Sequence, residues 1–340
     1  MVDSWIPRNP IDPDGGGKVK SWSGSLNPFA VFFSQGWLAV SLFLMVSGFS
    51  LGHGIRGKSI NWRGYFFARW IRLAPLYYFL LFCAVIAAPA GTIIDTSQIL
   101  ASLSILPISG GLTISPWLGV SWSIRIEFLL YFSVPALVHL MSKIPRYRLA
   151  FLGSVFFALL FASLAAIKTD PIVIFYLGFP GRLLEFSVGF GIGFYGINKR
   201  HRSNLLGAFG LTTLILLTYV LNRSGGWYEI AGYARLYSVL ITVAASALIL
   251  VWCNGTVNRQ RRTFQQLGRW SYSTYMIHFT VLTLAAIPSY KYLIDHGANE
   301  TVSFVMALTV LFSVTLLSSY ITFSLLEHPF LSLRPKYIKE

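Results

Sequence analysis

The sequence predicts an all-α fold, a polytopic bundle of transmembrane helices, and three observations predict it. First, 55% of the 340 residues are hydrophobic and only 11% are charged, against roughly 25% charged in a soluble domain; the mean hydropathy is +0.62. Second, apolar runs near the roughly twenty residues that a helix needs to cross hydrocarbon recur along nearly the whole chain. They do not alternate in ten-residue segments, which excludes a β-barrel. Third, the charges within or against these runs are few: Arg69, Arg72, Arg125, Glu127, Arg182, Glu185, His278 and Glu327. Burying a charge in hydrocarbon is expensive, so these residues are expected to face one another inside the bundle.

In chain order, residues 1–29 mix charges with Pro7, Pro10, Pro13 and Gly15 to Gly17, and read as a flexible segment with no cleavable signal. About nine spans follow, near 30–51, 73–93, 121–141, 149–167, 171–196, 204–221, 233–252, 270–289 and 303–325. Segment 97–120 is apolar but carries Pro107, Gly110, Gly111 and Pro116, and is expected to be a short or re-entrant element. Residues 30–330 form one transmembrane domain, and 331–340 a basic tail.

The net charge is +15. Its bases sit in short loops, so they set topology and do not indicate nucleic acid. With alternate sides assigned, most of the 27 Lys and Arg, among them Arg56, Lys58, Arg146, Arg202, Arg261 and Lys336, fall on one side. The positive-inside rule makes that side cytoplasmic, together with the C-terminus. The chain is expected in a plasma or inner membrane. Cys83 and Cys253 make neither a disulfide framework nor a metal site.

The embedded charges fall into local patterns. Arg69 and Arg72 are three apart and share a helix face at the cytoplasmic edge. They suit either a phosphate clamp or contact with lipid headgroups. Arg125 and Glu127 are two apart, so each needs a partner elsewhere; Glu127 suits proton acceptance or neutralisation of an arginine such as Arg182. Arg182 and Glu185, three apart beside Pro180, Gly181, Gly189 and Gly191, suit an ion pair on a bent, closely packed helix. Gly268 and Ser271 suit a helix start, followed by Tyr275 and His278 on one face. Glu327 is expected to pair with Arg69 or Arg72. No nucleophile elbow, phosphate-cradling glycine loop or zinc-spaced set occurs.

Taken in order, these motifs resemble the integral-membrane acyltransferase 3 family. The residues are Gly36 to Phe49; Tyr65 to Pro75 with its paired arginines; Trp122, Ser123, Glu127 and Tyr131; Arg182, Glu185, Phe186 and Gly189; Gly268, Ser271, Tyr272, Tyr275 and His278; and Glu327, Pro329 and Phe330. The resemblance implies a ten-helix fold that moves an acyl group, commonly acetyl, from acyl-CoA to a hydroxyl of a glycan or lipid-linked sugar. It implies acyl-CoA as co-substrate at Arg69 and Arg72, with no bound cofactor and no metal. Membrane lipids are the remaining partner.

The family's first helix carries a catalytic histidine. Here no histidine precedes His53 and no apolar helix precedes residue 30, so the expectation is either a truncated chain or a divergent member, inactive as written, that lacks that helix. Ser41 stands where the family commonly has an acid. The catalytic base is therefore unassigned, with Glu127, Arg182, Glu185, Tyr275 and His278 as supporting candidates. Two other functions stay open: a transporter of an anionic or sugar solute, which the buried charges suit and the lack of repeats disfavours, and a non-catalytic membrane subunit or degenerate homologue, which the absent histidine suits.

Overall fold

The computed structural model describes residues 38–87, 96–104, 119–145, 179–196, 204–223 and 261–339. The expected segment 1–29 and spans 149–167 and 233–252 lie outside the described residues. The helices are α1 (Leu38–Ile55), α2 (Trp62–Ile86), α3 (Thr96–Leu103), α4 (Ser121–Lys143), α5 (Phe179–Tyr195), α6 (Asn204–Arg223), α7 (Arg261–Val281), α8 (Ile287–Asp295), α9 (Glu300–Thr322) and α10 (His328–Ser332). Single π-helical turns, Leu282–Ala286 and Phe323–Glu327, join α7 to α8 and α9 to α10. Among the described residues four helices are long and apolar enough to cross a membrane: Trp62–Ile86, Ser121–Lys143, Gln266–Asp295 and Glu300–Ser332. The short element expected within 97–120 is represented by α3, and residues 105–118 lie outside the described ones.

The chain divides into two compact units. The first comprises residues 1–59 and 132–256 with residue 340, and the second residues 60–131 and 257–339.

In the first unit, α1 and α5 pack through two facing pairs of glycines. A Cβ on Gly48 or Gly52 would overlap the carbonyl oxygen of Phe186 or Phe190, and one on Gly189 or Gly193 that of Met45 or Phe49. Each pair is spaced four residues apart, so one face of each helix is bare enough for the backbones to meet. Partner numbers rise together along both helices, so α1 and α5 run parallel. Around this seam Met45 is fully buried, with Leu42, Val46, Phe49 and Val188 packed on it. Gly191 turns toward Met141, and the Tyr195 hydroxyl donates to the Met141 carbonyl at 3.2 Å. Close packing is the main force holding helices together in lipid, because burying one apolar side chain against another gains little over burying it in acyl chains.

In the second unit, α2 starts at Trp62, well before the expected residue 73. Asn61 caps it, accepting from the Gly64 amide at 3.4 Å, while the Asn61 amide donates to the Tyr337 carbonyl at 2.8 Å. Arg69 and Arg72 thus lie two turns inside a helix. Pro75 interrupts its hydrogen-bond ladder, and the Tyr272 hydroxyl donates to the nearby Leu73 carbonyl at 2.7 Å.

Helix α7 begins by Arg261, so Gly268 and Ser271 lie within it and do not start it. Ser271 instead donates back to the Gly268 carbonyl at 2.8 Å, a bond open to serine inside a helix. Gly297, at φ 79°, lets the chain reverse after α8. Asn299 then caps α9 by accepting from the Thr301 amide at 2.9 Å. The buried residues of α9 are small, Ser303, Ala307, Thr315 and Ser319, whereas Phe304, Met306, Phe312 and Leu317 are exposed. Large apolar residues outside and small polar ones inside are the arrangement that lipid selects.

Glycine packing between α1 and α5 gives a stability prediction. Gly189→Val should lower resistance to unfolding in an SDS titration by about 1–3 kcal/mol, the usual range for overpacking. Gly54, whose Cβ would meet nothing within 4 Å, supplies the control, and Gly54→Ala should leave the titration unchanged or slightly improved.

Candidate functional site

Two arginines of the second unit meet at one tyrosine. The guanidinium carbon of Arg69 lies 5.4, 5.5 and 5.4 Å from the ring centroids of Tyr65, Tyr131 and Tyr337. Its Nη2 donates to the Tyr337 hydroxyl. Arg69 is only 6% exposed, and its Nε has no hydrogen-bond partner among the described residues. Three aromatic faces thus do the work that a carboxylate usually does for a buried arginine. Arg334 reaches the same tyrosine from the other side, donating to its hydroxyl at 3.2 Å with its guanidinium carbon 5.4 Å from the ring.

Partial withdrawal from water, followed by repulsion from the Arg69 charge, pushes Arg334 below the ordinary arginine value, and Arg72 adds to that repulsion. Arg72 is half-buried, and its charge also reaches Tyr131 and Glu327. No ion pair within 4.0 Å joins Arg69, Arg72 or Arg334 to a carboxylate among the described residues. Three cations therefore crowd together.

The carboxylates of this unit are held by hydroxyls. Glu127 accepts from the Tyr131 hydroxyl at 2.5 Å, one turn along α4. Glu327 accepts from Ser273 of α7. The expected pairing of Glu327 with Arg69 or Arg72 is thus replaced by a serine contact, with Arg72 near enough to act through space. Glu327 falls in the π-helical turn Phe323–Glu327, where one extra residue per turn shifts the side chain off the face it would otherwise occupy. The charges of both glutamates reach the buried Tyr272.

A second string of polar groups runs from α4 to α7. The hydroxyls of Ser123 and Tyr275 are 2.6 Å apart. One turn on, His278 places Nδ1 2.6 Å from the Tyr275 carbonyl oxygen. A carbonyl only accepts, so Nδ1 carries the proton and Nε2 is the basic nitrogen.

In the first unit Arg182 donates through Nη1 to Glu185 Oε2 and to Ser41 Oγ, both at 2.8 Å. All three residues are buried. Spacing alone foretold the Arg182–Glu185 pair. It did not foretell Ser41, which sits where an acid would make a second ion pair with the same guanidinium.

Sequence reasoning also missed Tyr337 and Arg334, which it left in the basic tail. The signal was faint: a lone tyrosine among charges, 268 residues from the arginine it holds.

Among the expected candidates, the second unit gathers Arg69, Arg72, Glu127 and Glu327 around buried tyrosines, with Tyr275 and His278 also in that unit. Arg182 and Glu185 belong to the first. The arginine group is suited to an anion carrying several phosphates, because guanidinium groups bind phosphate oxygens in pairs.

No curated protein and no solved structure matches the chain. A protein-family comparison does: the family described as an acyltransferase domain matches residues 13–324. That match covers most of the sequence, including α2 and α4 with Tyr65, Arg69, Arg72 and Tyr131 but not Arg334 or Tyr337, and the chain belongs to the acyltransferase 3 family of membrane acyltransferases.

Proposed function

We propose that this protein is a membrane O-acyltransferase that takes an acyl group, acetyl first among them, from acyl-CoA and transfers it to a hydroxyl of a glycan or lipid-linked sugar. The crowding of Arg69, Arg72 and Arg334 with no carboxylate paired to them among the described residues is the observation that supports it. Like charges held together raise one another's cost, and an anionic ligand relieves that cost. Coenzyme A carries a pyrophosphate and a further phosphate, which suits three guanidinium groups. Tyr337 keeps Arg69 and Arg334 in place before the ligand arrives, so less freedom is lost on binding.

In this reading the acceptor hydroxyl attacks the thioester carbonyl, its proton passes to a base, and the CoA thiolate leaves. His278, with Nε2 unprotonated, and Glu127 are the supporting groups for proton handling in the second unit. Tyr275 steadies His278 through its carbonyl. The base itself is left unassigned. Arg182 and Glu185 act as a packing pair that fixes α5.

Nine alternating crossings would make the first and fifth spans parallel, and α1 and α5 are parallel. That agreement supports the nine-span arrangement, in which the arginine group and the C-terminus face the cytoplasm, where acyl-CoA is made.

Two measurements test the donor site. Isothermal titration with acetyl-CoA should give at least about tenfold weaker binding for the Arg69→Ala, Arg72→Ala double variant, the scale of one charge-assisted hydrogen bond or more. Unchanged affinity would refute the assignment. Arg334→Ala should weaken binding less, by about threefold to tenfold, and should flatten the dependence of affinity on salt, because Arg334 is exposed. A salt dependence equal to wild type would remove Arg334 from the site.

A further inference from the structure

The N-terminal end of α4 holds another buried arginine, which the proposed function does not use. Arg125 is 3% exposed, yet its Nε and Nη2 find no hydrogen-bond partner among the described residues. These two nitrogens share one edge of the guanidinium plane, and their parallel N–H bonds match a pair of oxygens on an oxyanion. The rest of the group is engaged. The Tyr77 phenol lies within hydrogen-bond reach of Arg125 and gives its own proton to the Ser102 carbonyl at 2.8 Å.

Ser121 is one turn earlier on the same helix face. It is fully buried, and its Oγ also has no partner among the described residues. Helical side chains lean toward the N-terminus, so Arg125 extends toward Ser121 and the opening amides of a 23-residue helix. Those amides lie at the positive end of the helix dipole, and that of Ser123 donates to the Val120 carbonyl at 3.4 Å. The neighbouring Ser123 hydroxyl is turned elsewhere, to the Val120 carbonyl at 3.0 Å and to Tyr275. No carboxylate lies within 4.0 Å of Arg125 among the described residues, and Glu127, two positions on, projects from a different face. Among the described residues, an arginine buried with no counter-charge within 4.0 Å and a hydroxyl without a partner therefore lie one turn apart at a helix N-terminus.

We propose that the N-terminal end of α4 is a phosphate-binding subsite. The Nε/Nη2 edge of Arg125 takes two oxygens, and Ser121 Oγ, at the positive end of the helix dipole, takes a third. A carboxylate would fill the arginine fork and leave the serine unmet, whereas a tetrahedral phosphate has a third oxygen for it. The phosphate can come from a phospholipid headgroup or from a soluble or lipid-linked substrate. The recognition chemistry is the same, and it does not depend on the donor site at Arg69.

The test uses the full chain, purified in neutral detergent or placed in nanodiscs. Thermal unfolding is followed against inorganic phosphate in detergent, and in phosphatidylcholine nanodiscs with and without phosphatidylglycerol; native mass spectrometry reports phosphate-bearing adducts. Wild type should melt higher with one of these probes or retain such an adduct. A response to inorganic phosphate points to a free group, and one confined to phosphatidylglycerol points to a headgroup. Arg125→Lys keeps the charge but loses the fork, and Ser121→Ala is small enough to spare folding. Each should raise the probe concentration for half-maximal stabilisation about fivefold to tenfold, or deplete the adduct, as expected for a lost hydrogen bond. The proposal fails if wild type responds to neither probe and carries no adduct, or if both variants respond as wild type does.

Discussion

Hydrocarbon offers an arginine neither water nor a counter-ion, and most of what is particular to this protein follows from that constraint. A guanidinium group stays charged at any attainable pH, so it cannot escape burial by losing its proton. The protein must supply the compensation, and it does so in different ways. Arg182 finds a carboxylate on its own helix and a serine on α1. Arg69 finds three tyrosine rings. The choice matters for what each residue can do. A carboxylate neutralises the charge and spends it on structure. Aromatic faces hold the cation through their quadrupole, at about 0.5–2 kcal/mol apiece, and leave its net charge available.

The same absence of water explains the packing. Apolar contact gains little in lipid, so contact area alone does not decide which helices associate. Backbone approach and polar contacts do. On α1 and α5 the glycines sit opposite carbonyls, and the Ser41–Arg182 bond lies near one end of that seam. On α9 the buried face is made of Ser303, Ala307, Thr315 and Ser319. The π-helical turn after α9 then swings Glu327 to Ser273 of α7. Small residues set the distance between helices, and polar groups set which residues meet across it.

This division also explains what was legible in the sequence. Composition and run length fix the class of fold, because few residues can face lipid. Spacing within one helix is equally readable, so Arg182 and Glu185 are paired before any coordinates are known. Helix ends were less legible. Arg63, Arg69 and Arg72 break the hydropathy of the segment that precedes Leu73, but they do not break a helix, and α2 runs on to its cap at Asn61. Gly268 and Ser271 look like a start for the same reason in reverse: turn-forming residues are tolerated inside α7 once Ser271 bonds back to the Gly268 carbonyl. Partners distant in sequence were not legible at all. The spacing of Arg69 and Arg72 says that they share a face, but nothing local to them says that Tyr337 will lie against it.

The tyrosines of the second unit reconcile burial with charge. Tyr65, Tyr131, Tyr272 and Tyr337 are buried, and each hydroxyl has a partner: the Tyr131 carbonyl, Glu127, the Leu73 carbonyl and the arginines. A phenol suits this setting because it packs as an apolar ring and satisfies a polar group at its tip. Replacing the Arg69 cage with carboxylates would hold the arginine as firmly, but would cancel the field that draws an anion. Replacing it with leucines would keep the field and lose the geometry. Rings with hydroxyl tips do both, so a cationic group can be rigid in a membrane protein and still face a ligand with its charge intact.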